Sequence, residues 1–103
     1  MSEAKSFLAD VDAVFAALAH ASRRHILLVL HYRGGQMTAG EIAGRFECSW
    51  PTTTRHLRVL LDAGLVTKKE SGRQRLYQLN RSRLNKVTSK WLMSFEAQAH
   101  AGE

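Results

Sequence analysis

Residues 38–79 constrain the fold more than any other part of this chain. Two short helical patterns flank a break at Glu47-Cys48-Ser49, and Ala63-Gly64-Leu65-Val66 closes the second. Two strand patterns follow, on either side of Ser71-Gly72-Arg73. Thr38-Ala39-Gly40-Glu41 reads as a capping box, in which a threonine and a glutamate satisfy each other's backbone donors. It opens a helix with Ile42, Ala43 and Phe46 inward. Ser49 is the expected N-cap of the next helix, and Pro51 is tolerated in its first turn, where few backbone donors are needed. That helix runs to about Ala63 and stops at Gly64, with Thr53, Leu57, Leu60 and Leu61 as its buried stripe. Residues 65–70 and 74–79 read as strands, with turn chemistry between them. Leu76 and Leu79 break strict alternation, so the pattern leaves their register open.

Helices are expected on both sides of this segment. Phe7, Leu8, Val11, Val14, Phe15 and Leu18 recur at helical spacing and place a first helix near residues 6–19. Its apolar band is wide for a surface helix, which assigns one side to the core and the other to a partner. Ser22 is the expected cap of a second helix, from Arg23 to about Arg33, with Ile26, Leu27, Val29 and Leu30 mostly buried. Gly34-Gly35 ends it. Asn80 or Ser82 caps a last helix to about Ala99, with Leu84, Val87, Trp91, Leu92 and Phe95 on one broad face. The predicted order is ααααββα, a mainly α fold with a small β-hairpin. This is a winged helix-turn-helix with one extra helix at each end. One domain spans residues 1–103: helix-turn-helix at about 38–63, wing at about 65–79, and pairing helices at about 6–19 and 81–99. A chain of 103 residues suits one modest core.

Charge is unevenly distributed. The formal net charge is +6. Residues 1–20 carry Lys5 against Glu3, Asp10 and Asp12, whereas residues 45–86 carry ten Lys/Arg against Glu47, Asp62 and Glu70. A basic middle between neutral or acidic ends points to a polyanion at one face. If Thr53, Leu57 and Leu60 face the core, a step of ~100° per residue turns Thr52, Arg55 and Arg58 outward. Thr54 and His56 then lie on the flanks. With Ser49, these donors sit near a helix N-terminus, where the dipole also favours phosphate. Such a half-helix fits the major groove of double-stranded DNA, with Arg55 and Thr52 nearest the base edges and Arg58 nearer a phosphate. On the hairpin, Arg73 at the tip is placed to enter a minor groove. Lys68, Lys69 and Arg75 are placed to hold phosphates. Tyr77 reads as a packing residue at the strand–helix junction.

Residues 14–27 resemble the opening signature of the ArsR/SmtB-type bacterial repressors. Ser49 to His56-Leu57, Val59-Leu60, Ala63-Gly64-Leu65-Val66, Gly72-Arg73 and Tyr77-Gln78-Leu79 continue the pattern in order, so the likeness runs over about residues 11–80. The resemblance implies a homodimer that binds operator DNA and represses transcription. It also implies that the first and last helices form the dimer interface, here through Phe7, Val11, Phe15, Trp91, Leu92 and Phe95. Two positions depart from the family. Thr53 stands where a β-branched aliphatic residue is usual, and its hydroxyl is expected to bond the carbonyl one turn back. Trp50 is unusual in the first turn of the reading helix; packing beneath the helix and contact with the sugar-phosphate backbone are both open.

Sensing chemistry is sparse. Relatives that bind metal through paired cysteines carry them on the helix at 38–46, which here has none, and Cys48 stands alone. No intrachain disulfide or dithiol switch can form. Glu96 and His100 are four apart on the last helix, yet the family's Asp-x-His and His-x-x-Glu pattern is missing. No metal, cofactor or catalytic residue is therefore expected, and no inducer is identified. There is no Gly-x-Ser-x-Gly turn and no phosphate-cradling glycine motif. No apolar run reaches the ~18 residues of a membrane span, and the N-terminus does not read as a secretory signal. A cytoplasmic DNA-binding repressor is the expectation. The rivals are a ligand-, metal- or redox-responsive form of it, and a winged-helix protein-interaction module that no longer reads DNA.

Overall fold

The computed structural model describes residues 2–46 and 49–101, with 97–101 as helix backbone. The order is α1 (Glu3–Leu18), α2 (Ala21–Tyr32), β1 (Gln36–Thr38), α3 (Ala39–Arg45), α4 (Trp50–Asp62), β2 (Val66–Ser71), β3 (Gln74–Leu79) and α5 (Arg81–Ala101). The predicted ααααββα order lacked β1. The hairpin is in fact part of an antiparallel three-stranded sheet ordered β1-β3-β2. Met37 pairs with Tyr77 and both are buried, while Gln78 Nε2 donates to Gln36 Oε1 at 3.0 Å. Three residues with one apolar side chain carry no usable periodicity. Only the distant β3 makes them a strand.

Local signals set most boundaries. At the head of α3, Thr38 Oγ1 accepts from the Glu41 N–H at 3.1 Å and Glu41 Oε1 accepts from the Thr38 N–H at 3.0 Å. That reciprocal pair holds the Glu41 carboxyl below its usual range, with Arg33 adding to the effect. Ser49 Oγ accepts from the Thr52 N–H and caps α4. Two helix starts differ from expectation. Helix α1 starts earlier, because Ser2 Oγ caps it through the Lys5 N–H. Helix α2 is capped by His20 rather than Ser22: the imidazole Nδ1 accepts from the Ser22 N–H at 3.2 Å.

Helix α4 ends in a turn that also launches the wing. Gly64 has φ +77°, the left-handed region in which glycine bears no steric penalty. The Gly64 N–H donates to Leu61 O and the Leu65 N–H to Leu60 O, so Leu65 belongs to the helix end rather than to β2. Asn80 joins this end to α5. Its Nδ2 donates to Gly64 O at 2.9 Å, and its Oδ1 accepts from the Arg83 N–H, so Asn80 and not Ser82 is the cap. Arg83 Nε donates to Ala63 O at 2.7 Å and Nη2 reaches Asp10 Oδ1 at 3.3 Å, which ties α5 to both α4 and α1.

Val14, Leu30, Met37, Ile42, Leu60, Leu65 and Val66 form the driest part of the core. Thr53 lies equally deep, but its hydroxyl does not bond the carbonyl one turn back. Among the described residues Thr53 Oγ1 has no hydrogen-bond partner. An unpaired buried hydroxyl costs about 1–3 kcal/mol, and valine has nearly the same shape. Thr53→Val should therefore raise stability by about 1 kcal/mol, seen as a melting temperature higher by about 4–8 °C. A lower melting temperature would mean that the hydroxyl is satisfied.

Candidate nucleic-acid interface

The rotation of α4 about its axis decides what it presents. Thr53, His56, Leu57 and Leu60 are its buried residues. They recur at i, i+3, i+4 and i+7, a single stripe. Arg55 and Arg58 consequently emerge on the opposite side, exposed, with Thr54 exposed and Thr52 half-buried at the edges. Arg58 Nε lies 3.8 Å from Asp62 Oδ1, one turn on. Both groups are largely in water, so this pair restrains Arg58 only weakly.

His56 is the correction on this helix. The flank placement is wrong: His56 is 7% exposed and lies on the core stripe, three residues after Thr53 and four before Leu60. Its ring packs against His20 with centroids 4.4 Å apart, and Arg23 Nη1 donates to its Nδ1 at 3.4 Å. Burial holds the His56 imidazole below its ordinary value, and His20, Arg23 and Arg55 add repulsion in the same direction. His56 is a neutral junction residue between α1, α2 and α4, not a DNA-facing donor.

The N-terminus of α4 offers fewer free donors than its position suggests. Pro51 has no N–H, and the Thr52 N–H is spent on Ser49 Oγ. Ser49 Oγ in turn donates to Thr52 Oγ1 at 3.0 Å. The Thr52 hydroxyl is thereby oriented, with its own proton left to offer outward. Trp50 is 57% exposed, so it does not pack beneath the helix.

On the hairpin, the register separates the basic residues. Lys68 stands opposite Tyr77, Lys69 opposite Leu76 and Glu70 opposite Arg75. Alternation then puts Lys68 and Arg75 on the face that carries buried Val66 and Tyr77, and Lys69 on the other. Arg75 Nε is 3.9 Å from Glu70 Oε1 across the strands. Arg73 occupies the tip, next to Gly72 with φ +62°. All four side chains are exposed, but they do not form one flat basic face.

Helices α1 and α5 pack together and leave a second surface. Phe15 and Trp91 have ring centroids 5.0 Å apart, and Trp91 and Phe95 4.9 Å apart. Leu8, Leu92, Met93 and Phe95 are well exposed beside them. Val11 does not belong to this surface: at 8% exposed it is spent on the chain's own core, as its alignment with Val14 and Leu18 requires. Phe7 is half-buried, with Lys90 Nζ 4.5 Å above its ring.

Sequence reasoning also missed how many cations are structural. Arg23 Nε donates to Ala17 O at 2.7 Å and Nη2 to Ala16 O, while Arg24 Nη1 donates to Leu18 O at 2.8 Å. Both cap the C-terminal end of α1, where the helix dipole favours positive charge. Arg83 does the same for α4. The only hint was their place just after a helix end. Among the described residues no group of three or more His, Cys, Asp or Glu could hold a metal ion. Glu96 is exposed on α5; Cys48 and the His100 side chain lie outside the described residues. No single helix among them is long and apolar enough to cross a membrane.

Comparisons with known proteins agree with the fold. A family model described as a helix-turn-helix domain matches residues 18–69. The transcriptional repressor SdpR of Bacillus subtilis is 37% identical over 85 residues, 82% of this chain and 91% of the relative. The arsenical resistance operon repressor of the same organism is 34% identical over 93 residues, 89% of this chain and 88% of the relative. Among solved structures, an ArsR family transcriptional regulator, RHA00566, superposes with a TM-score of 0.78 at 26% identity, covering 88% of this chain and 91% of its own. A homodimeric winged helix-turn-helix DNA-binding domain from Mycobacterium bovis gives 0.73 at 24% identity, covering 97% and 93%.

The buried imidazole has a consequence for stability. The folded chain resists protonation of His56, whereas the unfolded chain binds a proton below the ordinary value of 6.5. Its contribution is thus complete above that pH and drains away as pH falls. Urea midpoints measured from about pH 7.5 to about pH 5.5 should drop in the native sequence, and drop less in His56→Gln. Equal slopes in the two proteins would show that His56 is not the group responsible.

Proposed function

Because this chain belongs to the ArsR/SmtB family of winged helix-turn-helix transcriptional repressors, we propose that it acts as a homodimer that reads a palindromic operator with α4 of each protomer. It is a DNA-binding transcriptional regulator and not an enzyme. The observation that carries the finer reading is the single buried stripe of α4, which leaves Arg55 exposed on the opposite side with Thr52 beside it. Arginine can bond two acceptors of guanine at once, and a threonine can bond a base edge or touch the thymine methyl. Arg58, Lys68, Lys69, Arg73 and Arg75 would grip phosphates or the minor groove, while Ser49 and Thr54 lie close enough to the helix start to take backbone contacts. The work of such a repressor places it in the cytoplasm, with the chromosome.

Dimerisation is supported by the uncovered aromatic run. Phe15, Trp91, Leu92 and Phe95 make a continuous apolar face too costly to leave in water. The Cα radius of gyration is 15.8 Å, against about 13 Å for a compact chain of this length. The excess fits a subunit whose long α5 completes its packing against a second copy. A twofold axis there would set the reading helices about one DNA turn, ~34 Å, apart.

Selection of bound duplexes from a random pool should return a rough palindrome whose half-sites are separated by about one turn. Arg55→Ala should then weaken binding to that site by about 1–3 kcal/mol and relax preference at one base position. Arg58→Ala should instead weaken all duplexes alike and flatten the salt dependence. Unchanged affinity in the Arg55 and Arg58 double variant would overturn this docking. In the same assay format, Phe95→Glu should give monomers by light scattering and lose operator affinity. A dimer that survives both this change and Trp91→Ala would place the interface elsewhere.

A further inference from the structure

Outside the DNA and pairing surfaces lies a cleft between α2 and the first turns of α5, about 390 Å³ in volume. That is within the ~300–1,000 Å³ range of small-molecule sites. Its floor is apolar: Leu18, Leu27, Leu79 and Leu84. Leu28 forms a lip and is 52% exposed, an aliphatic side chain that the fold does not bury. The rim is of opposite character. Arg24, His31 and Arg81 converge there, and no aspartate or glutamate lines the cleft.

The hydrogen bonds define what the rim can still do. Arg81 Nε donates to His31 Nδ1 at 3.2 Å, and Arg81 Nη2 reaches His31 O at 3.5 Å. A neutral imidazole that accepts at Nδ1 carries its proton on Nε2, so His31 has a donor left. Arg24 spends Nη1 on Leu18 O. Its Nε and Nη2 have no protein partner among the described residues. Two fixed positive charges and an imidazole N–H therefore line a lipophilic trough, and besides His31 Nδ1, which Arg81 occupies, Asn85 brings the one acceptor side chain of the lining.

We propose that this cleft binds a small amphiphilic carboxylate, its head on the Arg24–His31–Arg81 rim and its apolar body along the leucine floor. A guanidinium matches a carboxylate in a planar two-point contact, and the body covers Leu28. A bound molecule would bridge α2, which packs on α4, to α5. This inference does not depend on how α4 docks on DNA.

Decanoate, kept below its micelle concentration, is a direct probe on the full chain. Amide spectra should show saturable shifts confined to the cleft, around Leu27, Leu28, His31 and Leu84. Acetate, which lacks the body, and decanol, which lacks the charge, should each bind at least about tenfold more weakly. Arg24→Gln and Leu28→Glu should each raise the decanoate Kd by about tenfold or more; Leu28 is exposed enough that its replacement leaves the core intact. Absence of saturable shifts, shifts spread over the Phe15–Trp91 face, or equal binding of decanol would overturn the proposal. So would loss of self-association in Leu28→Glu, which would assign the cleft to a second copy of the chain.

Discussion

Burial of one stripe of α4 governs the rest of the molecule. Leu57 and Leu60 each gain about 1.5–3 kcal/mol from leaving water. A rotation of one residue step toward Thr52 would expose both and drive Arg55 toward the core, where an unpaired charge costs far more. The rotation of α4 is therefore held from both sides: by apolar side chains that must go in and by guanidinium groups that must stay out. The outward display of Arg55 follows from packing on the opposite side of the helix. Core packing and the outward display of Arg55 are two results of the same phase angle.

That rotation is reinforced by polar contacts at the middle and at the C-terminal end of the helix. At the middle, Arg23 closes the carbonyls of α1 and reaches His56 beneath α4. At the end, Arg83 closes the carbonyl of Ala63 and reaches Asp10 on α1. Asn80 adds a third link between the end of α4 and the start of α5. Helix α4 is thus clamped to α1 and α5 through carbonyl groups that helix ends always leave unsatisfied. Strand β1 extends the same unit to the wing, because Thr38 both closes β1 against Leu76 and caps α3. Helix-turn-helix and wing accordingly share one backbone hydrogen-bond network.

The basic composition must be divided before it is interpreted. Arg23, Arg24, Arg81 and Arg83 are engaged with backbone carbonyls or a histidine, and Arg58 and Arg75 have carboxylate neighbours. Net charge therefore overstates the charge on offer to a polyanion. Within α4 and the wing, the exposed cations without such a neighbour, Arg55 with Lys68, Lys69 and Arg73, are spread over a helix and two sides of a hairpin. Such a spread suits a curved, grooved partner better than a flat one.

Local chemistry made much of this legible in the chain itself. The Thr38–Glu41 box, the Ser49 cap and the Gly64 stop act within a few residues, so spacing alone reveals them. Thr53, Leu57 and Leu60 of the α4 stripe and the aromatic run of α5 are periodic over several turns and are equally plain, although the stripe continues through His56 rather than through Leu61, which is half-buried. What only the tertiary structure decided depends on partners far along the chain. Met37 becomes a strand residue because Tyr77 lies beside it. His56 becomes a core residue because His20 and Arg23 supply a polar niche that a lone helix does not possess. Val11 turns to its own core rather than to a second subunit because α5 lies across α1. The lipophilic cleft with its cationic rim exists because α2 and the start of α5, 50 residues apart at His31 and Arg81, meet in the fold. Short-range hydrogen bonds and periodicity are written in the order of residues; burial and long-range pairing are properties of the folded surface.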